Sequence, residues 1–176
     1  VCENVKIRFT DIGHLLGSAS IEVWATENGT TRKLVFSGDI GNKNQPLLRD
    51  PQPTKDADYV VMESTYGTRV HSMERVDYIA ELTKILKETF DKGGNVVIPS
   101  FAVGRTQEML YFLRKIRMDG LVEGHEKFEV YVDSPLAISA TEIFKQNLNL
   151  FEEEIQKEIK HGDYPLDFPG LKFAAT

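Results

Sequence analysis

The first third of the chain alternates apolar and polar residues in a pattern that predicts three short β-strands. Residues 5–10 and 20–25 both alternate with a period of two, which is typical of strands with one buried face. Asn28 and Gly29 tolerate the positive φ angles of a tight turn, so residues 33–37 are predicted to return as the second strand of a hairpin.

Beyond residue 58 the pattern changes to apolar runs separated by helical periodicity. Residues 59–62, 95–99 and 128–132 are predicted strands, and the first two are apolar enough to be buried on both faces. Helices are predicted at residues 72–92, 104–118, 136–146 and 149–160, with Ser72 and Ser134 as N-caps. This order of strands and helices predicts an α/β domain with a parallel sheet.

Composition limits the class of protein without identifying it. The chain has 176 residues, 41% of them hydrophobic, and a formal net charge of −6, so it is expected to form one domain or one domain with part of another. No apolar run reaches the ~20 residues that a membrane helix needs. Val1 is neither a start methionine nor the opening of a signal peptide, and Cys2 has no internal disulfide partner, so we expect a piece of a longer cytoplasmic protein.

Three side chains suit a metal-dependent reaction. His14 and Asp39 each lie in a glycine-bounded turn at a strand end, and imidazole and carboxylate are both zinc ligands. Glu63 follows a strand, at the edge where α/β sheets bind ligands, so it is a candidate acid, base or orienting group. The alternatives are ordinary turn residues for the first two and a carboxylate that caps a turn for Glu63.

A second group suits an anion such as phosphate. Ser100, Gly104, Arg105 and Thr106 lie where a strand turns into a helix, whose free N–H groups and neighbouring guanidinium favour phosphate oxygens. Ser134 is at a similar junction. The alternative is that this loop serves packing alone, with Arg105 paired to an acidic residue and Ser134 acting only as an N-cap.

In combination, these segments resemble the β-CASP branch of metallo-β-lactamase-fold RNA nucleases. Residues 13–19 resemble the Gly-His-x-x-Gly-Ser-Ala segment of that family, and residues 37–41 resemble its next metal motif. Residues 63–67 (Glu-Ser-Thr-Tyr-Gly) resemble the start of the β-CASP domain, and residues 99–108 and 132–137 resemble its internal segments. The resemblance implies a partial metallo-β-lactamase sandwich at residues 1–58 and a parallel-sheet β-CASP domain at residues 59–176.

The resemblance also implies roles for individual residues. His14 matches a zinc ligand, Asp39 the carboxylate that bridges two zinc ions, and Glu63 an acidic residue that orients a catalytic histidine. Ser100, the turn at residues 104–106 and Ser134 match segments beside the substrate cleft. The implied reaction is hydrolysis of phosphodiester bonds in RNA, most simply single-stranded, by two zinc ions.

The family's His-x-His-x-Asp-His motif and its later histidine motifs are absent from this sequence. Because two ligands cannot hold two metals, we expect this chain alone to be inactive and to bind zinc weakly or not at all. Exposed apolar strand faces are expected to favour a homo-oligomer. Two alternatives stay open: a non-catalytic RNA- or protein-binding subunit of a processing complex, and a hydrolase of another substrate on the same fold.

Overall fold

The computed structural model describes residues 2–70 and 76–174, which belong to two compact units, Val1–Val70 and His71–Thr176. The boundary predicted from sequence lies after residue 58, whereas the two units divide after residue 70. The strand Tyr59–Val61 pairs with a strand of the first unit, so hydrogen bonding keeps it there.

The first unit is a four-stranded sheet in the order β1-β2-β3-β4. Its strands are β1 (Val5–Asp11), β2 (Ala19–Glu27), β3 (Thr30–Phe36) and β4 (Tyr59–Val61). The first three pair antiparallel, and β4 lies parallel to β3. Asn28 and Gly29 have φ angles of 51° and 77°, which confirms the predicted hairpin turn.

Strand β4 was predicted to be buried on both faces, and this prediction was wrong. Its residues Tyr59, Val60 and Val61 are 58%, 61% and 56% exposed. In the described part of the chain β4 pairs with β3 only, so it is an edge strand and has no neighbour to cover it.

One face of this sheet carries a buried ion-pair network. The Glu22 side chain is fully buried and accepts hydrogen bonds from Arg8 at 2.7 and 2.8 Å and from the Thr10 hydroxyl at 2.7 Å. Lys33 Nζ lies 2.6 Å from the other Glu22 oxygen, and the Arg8 and Lys33 cations both lie over the Trp24 ring. The Arg8 hydrogen bond is the main reason why the pKa of Glu22 is lowered to about 2.

The opposite face is apolar and open. Strand register places Phe9, Ile21, Phe36 and Val61 in one row across all four strands, because each is paired directly with the next. Their exposed fractions are 64%, 37%, 39% and 56%. An apolar row of this kind is a surface that water solvates poorly, so it favours association with another apolar surface.

We therefore predict that the isolated chain self-associates through this face and that Phe9→Glu shifts it towards monomer. A charge placed in this row must be desolvated on association, which opposes association. Sedimentation velocity over a range of concentrations measures the effect. Thr31→Glu is the matched control, since Thr31 lies in strand β3 of the same sheet, on the opposite face. Equal association of both variants would exclude this face as the contact.

Within its described residues, 76–174, the second unit has four α-helices, a single-turn 3-10 helix at Leu148–Leu150 and a two-stranded parallel sheet. The helices are α1 (Tyr78–Phe90), α2 (Arg105–Met118), α3 (Pro135–Gln146) and α4 (Glu153–Lys160), and the strands are β5 (Val130–Val132) and β6 (Leu171–Phe173). The four predicted helices are confirmed, and the strands pair in parallel, although β5 pairs with β6, where no strand was predicted. The fold class is therefore α/β. Among the described residues, no helix has the length and apolar character required to span a bilayer.

The helix starts show where local sequence signals are decisive. Ser134 is the N-cap of α3, where its hydroxyl accepts from the Ala137 N–H at 3.2 Å, as predicted. Helix α1 instead begins at Tyr78 with Asp77 as its N-cap, and the predicted cap Ser72 lies outside the described residues. Asp77 accepts from the Ala80 N–H at 3.0 Å. Aspartate caps a helix as well as serine does, and Asp77 lies closer to the apolar residues of the helix.

Residues 95–99 were predicted to form a buried strand, and this prediction was wrong. The segment has no strand assignment, and Val97 is 85% exposed. A strand requires a hydrogen-bonded neighbour, and in the described residues β5 pairs only with β6. The apolar run at residues 95–99 therefore does not by itself predict whether another strand will pair with it.

Candidate active site

The predicted metal ligands His14 and Asp39 meet at one edge of the first sheet. His14 Nε2 lies 3.9 Å from Asp39 Oδ2, although the residues are 25 positions apart in sequence. Strands β1 and β3 run in the same direction because both are antiparallel to β2, so the loops that follow them open at the same edge. Both side chains are accessible, with 41% and 72% of their surface exposed.

Glycine permits the two loops to approach. A Cβ atom added to Gly41 would lie 1.9 Å from the carbonyl oxygen of Gly13, which no real side chain could tolerate. The Gly41 N–H donates to the Ile12 carbonyl at 2.9 Å, so the two loop backbones are in direct contact. Gly13 also has a φ of 64°, in the left-handed region that glycine adopts without strain. The glycines noted in the sequence thus bring His14 beside Asp39.

The loop that carries His14 is held by two polar side chains. The Ser18 hydroxyl accepts from the N–H groups of His14 and Leu15 at 3.1 and 3.0 Å. The Asp11 carboxylate accepts from the Gly13 N–H at 2.9 Å. Sequence reasoning did not assign Asp11 or Ser18 a role. The signal for them was available, because Asp and Ser beside glycine favour such side-chain-to-backbone turns.

Glu63 joins the same edge through the parallel pairing of β4 with β3. One of its oxygens accepts from the Ile40 N–H at 2.6 Å, and the other accepts from the Thr65 hydroxyl at 2.8 Å. The Ile40 hydrogen bond is the main cause that lowers the pKa of Glu63, followed by the Thr65 hydroxyl, and the nearby His14 charge contributes. Glu63 therefore fixes the loop that carries Asp39. It caps a turn and also orients a neighbouring residue, so both roles considered for it from the sequence apply.

The chemistry of this donor set fits zinc, but the number of donors is small. Imidazole and carboxylate are standard zinc ligands, and two ligands on one tetrahedral zinc lie ~3.3 Å apart. The 3.9 Å separation of His14 and Asp39 is close to that value, and both side chains are exposed enough to adjust. Within residues 2–70 and 76–174, no cluster of three or more His, Cys, Asp or Glu side chains could hold a metal.

The predicted phosphate-binding residues divide into two arrangements in the second unit. Ser100, Thr106 and Ser134 line one cavity of about 1310 Å³, together with Asp133. The Ser100 and Thr106 hydroxyls are 2.9 Å apart, so the loop before α2 is closed by its own hydrogen bonds. Gly104 and Arg105 are outside the lining of this cavity.

Gly104 and Arg105 have structural partners. Gly104 is the N-cap of α2 with a φ of 83°, and its N–H donates to the Gln107 side chain at 2.7 Å. Gln107 is fully buried and also donates to the Ala102 carbonyl and the Thr141 hydroxyl. Arg105 pairs with Glu108 one turn along the helix, which was the alternative considered for it. Its side chain is 57% exposed, so N–H groups stay available.

Comparison with known proteins supplies the family. Residues 106–176 match the Beta-Casp domain. The chain is 36% identical over 170 residues to Ribonuclease TTHA0252 of Thermus thermophilus, a match that covers 96% of this chain and 37% of the relative.

Residues 106–176 place this part of the chain in the β-CASP family. Two further relatives lie in other domains of life. The RNase J-like protein of Methanocaldococcus jannaschii is 31% identical, with 92% of this chain and 37% of the relative covered. Endoribonuclease YSH1 of Yarrowia lipolytica is 31% identical, with 89% of this chain and 18% of the relative covered. The chain thus spans between 18% and 37% of the length of these relatives.

Proposed function

We propose that the full-length protein is a zinc-dependent ribonuclease that hydrolyses phosphodiester bonds in single-stranded RNA. The observation that carries the proposal is the meeting of His14 and Asp39 at 3.9 Å, on two loops whose backbones touch at Gly13 and Gly41. The names of the relatives, a ribonuclease, an RNase J-like protein and an endoribonuclease, support the reaction and the substrate class.

In this proposal the His14 imidazole and the Asp39 carboxylate would hold zinc. Bound zinc would supply a hydroxide nucleophile at neutral pH and offset charge on the phosphate. Glu63 keeps the loop of Asp39 in position through the Ile40 N–H, and Ser18 does the same for the loop of His14. Both loops are therefore fixed before metal binds, which reduces the ordering cost of binding.

RNA contacts in the second unit are part of the same proposal. Ser100, Thr106 and Ser134 line one cavity. The Thr106 hydroxyl donates to the Phe101 carbonyl at 2.8 Å and is paired with the Ser100 hydroxyl at 2.9 Å. The Ser134 hydroxyl accepts from the Ala137 N–H, so its own proton is left to donate to a phosphate oxygen.

The positive charge of Arg105 is partly neutralised by Glu108. We therefore assign Arg105 a weaker contact to the RNA backbone, made by the guanidinium N–H groups that stay exposed. Gly104 contributes the backbone geometry of this turn.

Metal removal tests the proposal. The full-length protein is expected to carry about two zinc ions, to lose RNA cleavage after dialysis against a chelator, and to regain cleavage when zinc is returned. The isolated chain is expected to hold less zinc, because it contributes too few ligands. Zinc content by plasma mass spectrometry and cleavage of a labelled oligoribonucleotide are the measurements. Cleavage that survives complete zinc removal would contradict the metal mechanism, and absence of cleavage with zinc bound would favour the binding-subunit alternative.

A further inference from the structure

Two side chains a few residues beyond Glu63 form an exposed stacked pair that has no role in the proposed function. The guanidinium of Arg69 lies 4.9 Å from the centre of the Tyr66 ring. Tyr66 is 59% exposed, and Arg69 is also exposed. We name Tyr66 and Arg69 together the stacked pair.

The stacked pair is tethered close to Glu63. Tyr66 follows Glu63 by three residues, which limits the distance between their Cα atoms to roughly 10 Å. The Thr65 hydroxyl donates to Glu63, and the Gly67 N–H donates to the Ser64 carbonyl at 3.0 Å, so the intervening backbone is turned tightly. A further turn, from the Arg69 N–H to the Tyr66 carbonyl at 2.9 Å, sets Arg69 back over the ring.

The charge of Arg69 is not neutralised within its own unit. Among residues 2–70, no acidic side chain lies within ion-pairing distance of Arg69, whereas Arg8, Arg32 and Lys33 each pair with Glu22 or Asp58. Arg69 therefore presents positive charge to solvent beside a ring that offers an apolar face. A purely structural cation–π contact between Arg69 and Tyr66 is the alternative. It would explain their geometry but not why both side chains are exposed.

An exposed aromatic ring and an exposed guanidinium match the chemistry of a single-stranded nucleotide. Unpaired bases stack on aromatic rings and on guanidinium planes, and the guanidinium also donates to phosphate oxygens. Because one face of the Tyr66 ring is occupied by Arg69, a base would stack on the other face or on the outer plane of the guanidinium. Double-stranded RNA presents no free base face, so the pair would distinguish unpaired from paired substrate.

We propose that the stacked pair binds a nucleotide of single-stranded RNA next to the scissile phosphate, with Tyr66 stacking on its base and Arg69 contacting its phosphate. This inference rests on the proposed ribonuclease function and adds to it the requirement for an unpaired base. Tyr66 and Arg69 would be substrate-binding residues, and neither would bind metal.

The test measures RNA affinity rather than cleavage, in the full-length protein made inactive by Asp39→Ala. Fluorescence anisotropy with a labelled oligoadenylate gives the Kd. Tyr66→Ala and Tyr66→Leu are expected to raise the Kd roughly 5- to 100-fold, since stacking on one base contributes on that order. Tyr66→Phe keeps the ring and is expected to keep the affinity. Arg69→Ala is expected to reduce the slope of log Kd against log salt by about 0.7, the value for one phosphate contact on a single strand.

A second probe separates stacking from any loss of folding. The same oligonucleotide with abasic ribose units retains every phosphate but has no base to stack, so Tyr66→Ala should weaken its binding no further. Tyr164→Ala is the matched control, because Tyr164 is an exposed tyrosine, 50% accessible, in the second unit. It is expected to leave both Kd values unchanged.

Three outcomes overturn the proposal: an unchanged Kd in Tyr66→Ala, an equal loss of affinity for abasic RNA, or an equal loss in Tyr66→Phe. The first would leave the stacked pair as a contact for a protein instead of RNA. Failure of the ribonuclease proposal is detected separately, because it is judged by whether Asp39→Ala abolishes cleavage by the otherwise unaltered protein.

Discussion

Replacing Asp39 by alanine in the full-length protein is expected to reduce RNA cleavage by more than about 100-fold. Substitution of residues that merely support a metal ligand costs about 10- to 100-fold, and removal of a carboxylate that would itself bind metal, as proposed for Asp39, is expected to cost more. Asp39 is 72% exposed at the sheet edge, so its removal should leave the fold intact. The initial rate of cleavage of a labelled oligoribonucleotide measures the loss of activity, and the zinc content measures the loss of metal.

Two companion variants make this result specific. His14→Ala is expected to reduce cleavage in the same direction, since His14 Nε2 is the nearest donor to Asp39. Glu27→Ala removes an exposed carboxylate from the opposite, hairpin end of the same sheet and is expected to have no effect. If Asp39→Ala kept both zinc and activity at an unchanged Tm, Asp39 would be an ordinary turn residue and the proposed function would lose its main support.

Replacing Glu22 by glutamine is expected to destabilise the first unit by about 3 kcal/mol. Breaking a buried ion pair by removal of one partner leaves the other charge buried and uncompensated, which costs about 3–5 kcal/mol. The charge of Lys33 would be the harder one to solvate, because its side chain is 11% exposed. Arg8 is 59% exposed, so water can solvate its charge. We therefore expect a value at the low end of that range. Urea denaturation followed by Trp24 fluorescence measures the change.

The same network gives the protein a defined sensitivity to acid. The pKa of Glu22 falls from 4.5 to about 2 on folding, mainly through the Arg8 hydrogen bonds. Because the folded-state pKa is depressed, the stabilisation is complete above about 4.5 and is lost as the pH falls towards 2. Glu22→Gln should lack this loss, so the stabilities of the two proteins should converge between these pH values.

Glu27→Gln is the control for both measurements, since Glu27 lies on the same strand but is exposed. It is expected to leave the unfolding free energy within about 0.5 kcal/mol of the starting protein, as surface substitutions usually do. An equal destabilisation by both variants, or parallel pH profiles for Glu22→Gln and the starting protein, would show that the network does not stabilise the sheet.

Local signals in the sequence determined the elements whose formation depends on near neighbours. The hairpin follows from Asn28 and Gly29, which adopt the positive φ angles that its turn requires. Helix α3 follows from Ser134 and Pro135, the N-cap and first residue that its start favours. The glycine-bounded turns also identified His14 and Asp39 as candidates, because only glycine permits backbones to approach so closely.

Only the tertiary structure decided how distant segments pair. The parallel pairing of β4 with β3 brings Glu63 to the loop of Asp39, and it moves the unit boundary from residue 58 to residue 70. The apolar run at residues 95–99 has the composition of a strand but lacks a partner. Hydrophobic periodicity reports which residues avoid water, whereas pairing depends on backbone hydrogen bonds between segments far apart in sequence.

The same physical limit applies to the charged network and the stacked pair. Glu22 appears in the sequence as one polar residue of an alternating strand, and its burial depends on Arg8 from one neighbouring strand and Lys33 from the other. Tyr66 and Arg69 are three residues apart in a loop, where no periodicity predicts that their side chains stack. The sequence by itself thus determined the local elements and the candidate ligands, and the long-range contacts that join them into a site came from the tertiary structure.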